Sequence, residues 1–250
     1  MPSTDTSIVR IAMWSGPRNI STAMMRAFEN REDTVVVDEP FYAAALAVTG
    51  ADHPMREAVI ASQPNDPHEV ARMLTGDIPG GRRVFYQKHM THHMLPGFPL
   101  GWTAQVVNAF LIRAPEAVLA SYTQKWDSVS LEAIGVPMQK ALFEREADRL
   151  GHAPPVIDSA DVLADPAGVL KALCRACGIG FSERMLAWPS GRRASDGVWA
   201  PAWYDAVEKS TGFAAPGPEK ASVRLRDDLK TIADAARPSY ELLRSHALKA

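Results

Sequence analysis

The stretch Ile8-Val9-Arg10-Ile11-Ala12-Met13-Trp14-Ser15-Gly16-Pro17-Arg18-Asn19-Ile20-Ser21-Thr22 decides how the chain is read. Ile8 to Trp14 is a short, mostly apolar run suited to a buried strand, and Ser15-Gly16-Pro17 ends it in a turn. Ile20, Ala23, Met24, Ala27 and Phe28 then recur at i, i+3, i+4, i+7 and i+8, one face of a helix starting near Ser21. The junction sets free backbone N–H groups, hydroxyls and the Arg18 guanidinium around one helix N-terminus. That combination is an anion site. It departs from the nucleoside-triphosphate loop G-x-x-x-x-G-K-[ST], because the second Gly and the Lys are missing.

Working outward, Thr34 to Val37 reads as a second strand stopped by Asp38-Glu39-Pro40. A helical insert at about 43–76, broken by Pro54, Pro64 and Pro67, is placed to shape a substrate pocket. Arg83 to Lys88 reads as a third strand and Ala104 to Ile112 as a fourth, which ends in Arg113. Pro115 suits the first turn of a helix with the apolar face Val118, Leu119, Tyr122 and Trp126. A helix over Pro137 to Leu150, a fifth strand over Pro155 to Ile157 and a helix opened by Asp165-Pro166 follow. This alternation implies a single α/β domain, a three-layer sandwich with a central parallel sheet and helices on both faces. Ligands on such sheets lie at the carboxyl ends of the strands.

Composition narrows the function. Twenty-seven basic against 29 acidic residues leave a formal charge of −2, so no global positive field exists to hold a nucleic acid. No run approaches the roughly 20 apolar residues of a membrane span, and the polar start is unlike a signal peptide, which makes a cytoplasmic protein with no membrane partner the expectation. Cys174 and Cys177 are spaced C-x2-C, but zinc would need about four ligands. They sit on an apolar helical face with Val169, Leu170 and Leu173, and are read as buried structural thiols.

The segment Trp14 to Thr22 resembles the 5′-phosphosulfate-binding loop of the sulfotransferases that use 3′-phosphoadenosine 5′-phosphosulfate (PAPS), in their bacterial branch. Arg18 stands where most cytosolic members carry Lys, and its planar fork grips a phosphate in a bidentate manner. Arg113-Ala114-Pro115-Glu116-Ala117-Val118-Leu119-Ala120-Ser121-Tyr122 is similar to the family's strand-to-helix segment, in which an Arg and a Ser, here Arg113 and Ser121, bind the 3′-phosphate. Gly191-Arg192-Arg193-Ala194-Ser195-Asp196-Gly197-Val198-Trp199 resembles its late lid. The resemblance implies a P-loop-like fold, PAPS as co-substrate, 3′-phosphoadenosine 5′-phosphate (PAP) as product, a small hydroxyl or amine acceptor, and no metal. It implies nucleotide binding by Ser15, Gly16, Pro17, Arg18, Asn19, Ser21, Thr22, Arg113 and Ser121, with Arg192, Arg193 and Trp199 from a lid loop at about 189–201.

For chemistry, Arg18 is expected to offset charge on the leaving oxygen. The Lys88-His89 pair resembles a Lys and a His that the family carries after this strand, although there the two are not adjacent. Glu39 and His89 both follow predicted strands and compete as the base, with Glu39 favoured because Pro40 rigidifies the turn that presents it. Two other readings stand beside this one. The apolar strand ending in Asp38-Glu39 resembles the Mg²⁺-binding strand of a P-loop nucleoside or small-molecule kinase, and a catalytically silent nucleotide-binding protein would have the same bulk properties. Three histidines in Gln87 to His93 suggest zinc by composition, but neighbouring His92 and His93 cannot point the same way from regular backbone.

Overall fold

The computed structural model describes residues 7–123, 129–214 and 225–250. Trp126, expected on a helix face, lies outside them. Five strands, β1 (Val9–Ser15), β2 (Thr34–Asp38), β3 (Val84–Met90), β4 (Val107–Ile112) and β5 (Val156–Asp158), form one parallel sheet in the order β2-β3-β1-β4-β5. Eleven α-helices are described: α1 (Ser21–Glu29), α2 (Tyr42–Thr49), α3 (Arg56–Ser62), α4 (Pro67–Thr75), α5 (Pro115–Tyr122), α6 (Val136–Leu150), α7 (Ser159–Ala164), α8 (Pro166–Ala176), α9 (Ala200–Trp203), α10 (Asp205–Glu208) and α11 (Asp227–Ser245).

Strand residues alternate between two apolar layers, as the period of two requires. Ile11, Met13, Val84, Tyr86, Leu111 and Ile157 pack on one face against Met24, Met25 and Phe28 of α1 and Val169, Leu170 and Leu173 of α8. Trp14, Phe85, Phe110, Ile112 and Val156 pack on the other against Val70 and Leu74 of α4, Leu142 and Phe143 of α6, and Leu243 of α11. Burying each large side chain contributes roughly 1.5–3 kcal/mol, so both layers are needed. The expected three-layer arrangement is the one observed. Cys174 and Cys177 are free and buried in the first layer, and burial pushes the Cys174 thiol up to about 11.

Three differences from the sequence reading have physical causes. The insert divides: α4 joins the sheet's second apolar layer, whereas Tyr42, Ala43 and Leu46 of α2 and Val59 of α3 pack with Trp199, Ala200 and Tyr204. The fourth strand starts later than expected, because Gly101–Gln105 winds into a 3-10 turn first. Helix α11 has no counterpart in the sequence reading, and Pro238 lies inside it, a position that ordinarily interrupts a helix. Its Leu229, Ala233 and Ala236 cover Val118 and Leu119 of α5.

Candidate active site

The chain runs from β1 to the sheet edge and later returns to the other side of β1, so strand order reverses there. A crevice opens at such a switch point. A cavity of about 530 Å³ lies at this carboxyl edge, lined by Arg18 after β1, Glu39 after β2, Lys88 in β3 and Arg113 after β4. That volume suits a small-molecule ligand.

At one end, Arg18 sits in a left-handed backbone conformation at φ 54°, costly for a side chain of its size. Its Nε donates to Ser121 Oγ at 3.0 Å, and Arg113 Nη1 donates to the Arg18 carbonyl. Loop, strand end and α5 are thus tied together. Asn19 completes the loop: its Nδ2 donates to Leu111 O at 3.1 Å and its Oδ1 accepts from Ile20 N. Helix α1 has no side-chain N-cap and no acidic residue in its first turn, so no side chain caps its first N–H groups at Ser21 and Thr22. Among the described residues, neither Arg18 nor Arg113 has a carboxylate within salt-bridge distance. Burial lowers the basicity of both guanidiniums, and for Arg113 the nearby Arg18 charge adds to it while the Asp158 carboxylate works against it.

Pro17, Arg18, Asn19, Ser21, Thr22, Arg113 and Ser121 all line the cavity. Ser15 and Gly16 lie beneath it instead. Ser15 is fully buried with its Oγ toward His89 O at 3.4 Å, and a Cβ on Gly16 would fall 2.5 Å from the Ile134 carbonyl oxygen. They shape the loop and do not line the cavity.

At the other end, Glu39 is also left-handed, at φ 43°, and its backbone N–H donates to Lys88 O at 2.9 Å. The Lys88 ammonium donates to Glu39 Oε1 at 2.6 Å, Asp38 Oδ1 at 2.8 Å and Tyr204 OH at 2.8 Å. Tyr204 OH donates in turn to Asp38 Oδ2 at 2.6 Å, and Gly197 N reaches the same oxygen at 3.3 Å. Burial, then the neighbouring Asp38 charge, pushes the Glu39 carboxyl up against the pull of Lys88. The two carboxylates overcome burial to hold Lys88 protonated. Tyr42, His53, His92 and Trp203 form the adjoining wall. Tyr42 OH bonds His53 Nδ1, and its ring stacks on His93 at 4.5 Å. Burial pushes His92 down to about 4 and His93 well below its usual value, so both are neutral near pH 7.

Two expectations about this end need correction. His89 does not reach the cavity: next to Lys88 on a strand it faces the opposite side, stacked on Trp14 at 4.4 Å and 1% exposed. Burial there pushes it down to about 3. The Gly191 to Trp199 segment also differs from a loose lid over the nucleotide. Asp196 forms a buried ion pair with Arg26 of α1 at 2.6 Å, Ser195 Oγ donates to Glu29 Oε1 at 2.5 Å, and Trp199 Nε1 donates to Tyr204 OH at 3.2 Å. Arg192 is exposed beside Glu208 at 3.7 Å, and Arg193 Nη2 donates to Pro189 O at 2.9 Å. Neither arginine nor Trp199 lines the cavity.

The cavity wall includes residues that the sequence reading did not single out, namely Tyr42, His53, Trp203, Tyr204 and a run to Phe213. The aromatic cluster Trp199-Ala200-Pro201-Ala202-Trp203-Tyr204 was the available signal. Among the described residues no group of three His, Cys, Asp or Glu side chains is arranged to hold a metal ion. Nor is any described helix long and apolar enough to cross a membrane.

Comparison with known proteins agrees with this architecture. Over 237 residues the chain is 34% identical to branched-chain-amino-acid aminotransferase-like protein 1 of Arabidopsis thaliana, covering 94% of this chain and 42% of the plant protein. Protein 2 of the same name and organism is 32% identical over 236 residues, covering 94% of this chain and 41% of its own length. The chain therefore spans about two fifths of these curated relatives. Its fold is similar to the sulfotransferase domain from the curacin biosynthetic pathway, with a TM-score of 0.54, 16% identity, and 92% of this chain and 98% of that one covered. A sulfotransferase from Alicyclobacillus acidocaldarius gives a TM-score of 0.54 at 12% identity, covering 97% and 98% of the two chains. The profile of the family described as "Sulfotransferase domain" matches residues 9–247, nearly the whole fold just described, and the chain belongs to that family.

Proposed function

We propose that the chain moves a sulfuryl group from PAPS to a hydroxyl or amine of a small acceptor. The observation that carries this reading is the convergence of Arg18 and Arg113, two half-buried guanidiniums with no carboxylate partner among the described residues, on an uncapped helix N-terminus at one cavity. Part-buried cations with no carboxylate in direct contact are costly without an anion to meet them. Two such groups suit a ligand with two phosphate-bearing ends.

In this reading Arg18, Ser21, Thr22 and the α1 N-terminus hold the 5′-phosphate and offset the charge that develops on it. Arg113 and Ser121 hold the 3′-phosphate through charge-assisted bonds. PAPS supplies the activated sulfuryl group. The acceptor oxygen or nitrogen bonds to sulfur as the bond from sulfur to the 5′-phosphate oxygen breaks, that electron pair leaves on the phosphate, and the acceptor proton passes to Glu39. A kinase reading would need Asp38 for a divalent cation. Both oxygens of Asp38 are already engaged by Lys88, Tyr204 and Gly197, which favours sulfuryl transfer.

Calorimetric titration tests the reading. PAP should bind without metal and more tightly than AMP, and Arg113→Ala should erase most of the difference, roughly tenfold to a hundredfold in affinity. Equal binding of PAP and AMP by the unaltered protein would overturn it, and tight ATP binding that requires Mg²⁺ would transfer support to the kinase.

A further inference from the structure

Lys88 is a cation at the cavity wall, and the obvious role for it is contact with the donor. Its hydrogen bonds argue otherwise. An ammonium has three N–H donors, and here they go to Asp38, Glu39 and Tyr204 at 2.8, 2.6 and 2.8 Å. None remains for a ligand.

We propose that Lys88 is a positioning residue, one end of a clamp anchored on Asp38 and Tyr204, which fixes Glu39 with one carboxylate oxygen tied and the other turned to the acceptor. This rests on the reading of Glu39 as the base. The anchored end is saturated: Asp38 Oδ1 accepts from Lys88, Asp38 Oδ2 accepts from Tyr204 and Gly197, and Trp199 Nε1 holds the Tyr204 hydroxyl. The free end is not. Glu39 Oε1 accepts from Lys88, whereas Glu39 Oε2 has His93 Nδ1 at 3.9 Å, beyond hydrogen-bond distance, and the residue lines the cavity. A left-handed backbone at Glu39 aims the side chain.

The charges facing Glu39 are Asp38 from β2 and Lys88 from β3. The titratable neutral groups are His92 and His93 after β3, Tyr42 from α2 with His53 bonded to it, and Tyr204 after α9. Because the two carboxylates share one ammonium, Asp38 both repels Glu39 and takes part of its counter-charge. The clamp therefore predicts opposite responses to two neutralising changes.

The test titrates the Glu39 side-chain carboxyl by carbon-13 NMR in the whole chain, assigning its signal by the peak absent from Glu39→Gln. Asp38→Asn should lower its pKa by about one unit or more, since a like charge is removed and Lys88 serves Glu39 alone. Asp38→Asn with Lys88→Met, which removes the buried pair together, should raise it above the unaltered protein by a similar amount. Shifts in the same direction, or no shift in the double variant, overturn the clamp. If Asp38→Asn does not fold, the double variant decides alone by the direction of its shift. Calorimetry with PAP adds a second readout: the double variant should keep the affinity of the unaltered protein, and a tenfold loss would place Lys88 on the nucleotide and refute the proposal. The NMR arm stands even if the protein binds no PAP, so failure of the clamp and failure of the sulfotransferase reading are told apart.

Discussion

Asp196→Ala should destabilise the fold by about 3 kcal/mol. Arg26 and Asp196 are both 1% exposed in their side chains and 2.6 Å apart, joining α1 to the segment before α9. Removing one partner of a buried pair typically costs about 3–5 kcal/mol, because a charge is left in the interior. Arg26 keeps Glu29 at 3.4 Å, which places the cost near the lower end, and loss of the acceptor for Arg193 N adds a smaller increment. For a chain of this size about 3 kcal/mol lowers the melting temperature by roughly 6–12 °C. Urea denaturation measures it directly as a fall in midpoint at constant slope. Arg26→Met with Asp196→Leu supplies the control, since an apolar replacement of both partners should recover most of the loss. A change within about 0.5 kcal/mol for Asp196→Ala, the level of an ordinary surface substitution, would show that the pair does not anchor this segment.

Other expectations follow from the same contacts. Glu39→Gln should retain PAP affinity and lower turnover by roughly 10²- to 10⁴-fold, the range of a lost general base. Because the Glu39 carboxyl is pushed up, the base is ionised only above that raised pKa, so kcat/KM should fall with falling pH at a higher pH than an ordinary carboxylate of about 4.3 would give. An acid limb at or below that value would oppose the assignment. Gly16→Ala should force its Cβ against the Ile134 carbonyl and displace the loop, weakening PAP binding measured by calorimetry. Limited proteolysis should cut the Gly191 to Trp199 segment slowly without nucleotide and no more slowly with PAP, given its anchors on α1 and Tyr204. Strong protection by PAP would restore the lid.

The loop at the mouth of the cavity was legible because its signals are local. A strand, a turn and a helix N-terminus follow within 15 residues from Ile8 to Thr22, and polar groups that line the cavity lie in that same run. Arg113 and Ser121 were legible for the same reason, as a strand end and the helix after it. The Glu39 end was harder. Tyr204 bonds Asp38 across 166 positions of sequence and Lys88 across 116, and no local pattern encodes either contact. The faces of Lys88 and His89 were within reach, however. Neighbours on a strand point to opposite sides, so whichever residue lines the cavity excludes the other, and Tyr86 with Val84 marks the face that Lys88 shares.

Sheet order also explains how opposite charges coexist in one cavity. Arg18 and Arg113 follow β1 and β4, whereas Asp38 and Glu39 follow β2, two and three positions away in the order β2-β3-β1-β4. With strands about 4.8 Å apart, the strand end that carries the carboxylates stands roughly 10 Å or more from those that carry the guanidiniums. Lys88 lies on β3, the strand between, and takes Glu39 Oε1 at 2.6 Å. The clamp thereby holds Glu39 on its own side of the cavity with Oε2 left untied, so the two ends of the site are separated by the strand that carries Lys88.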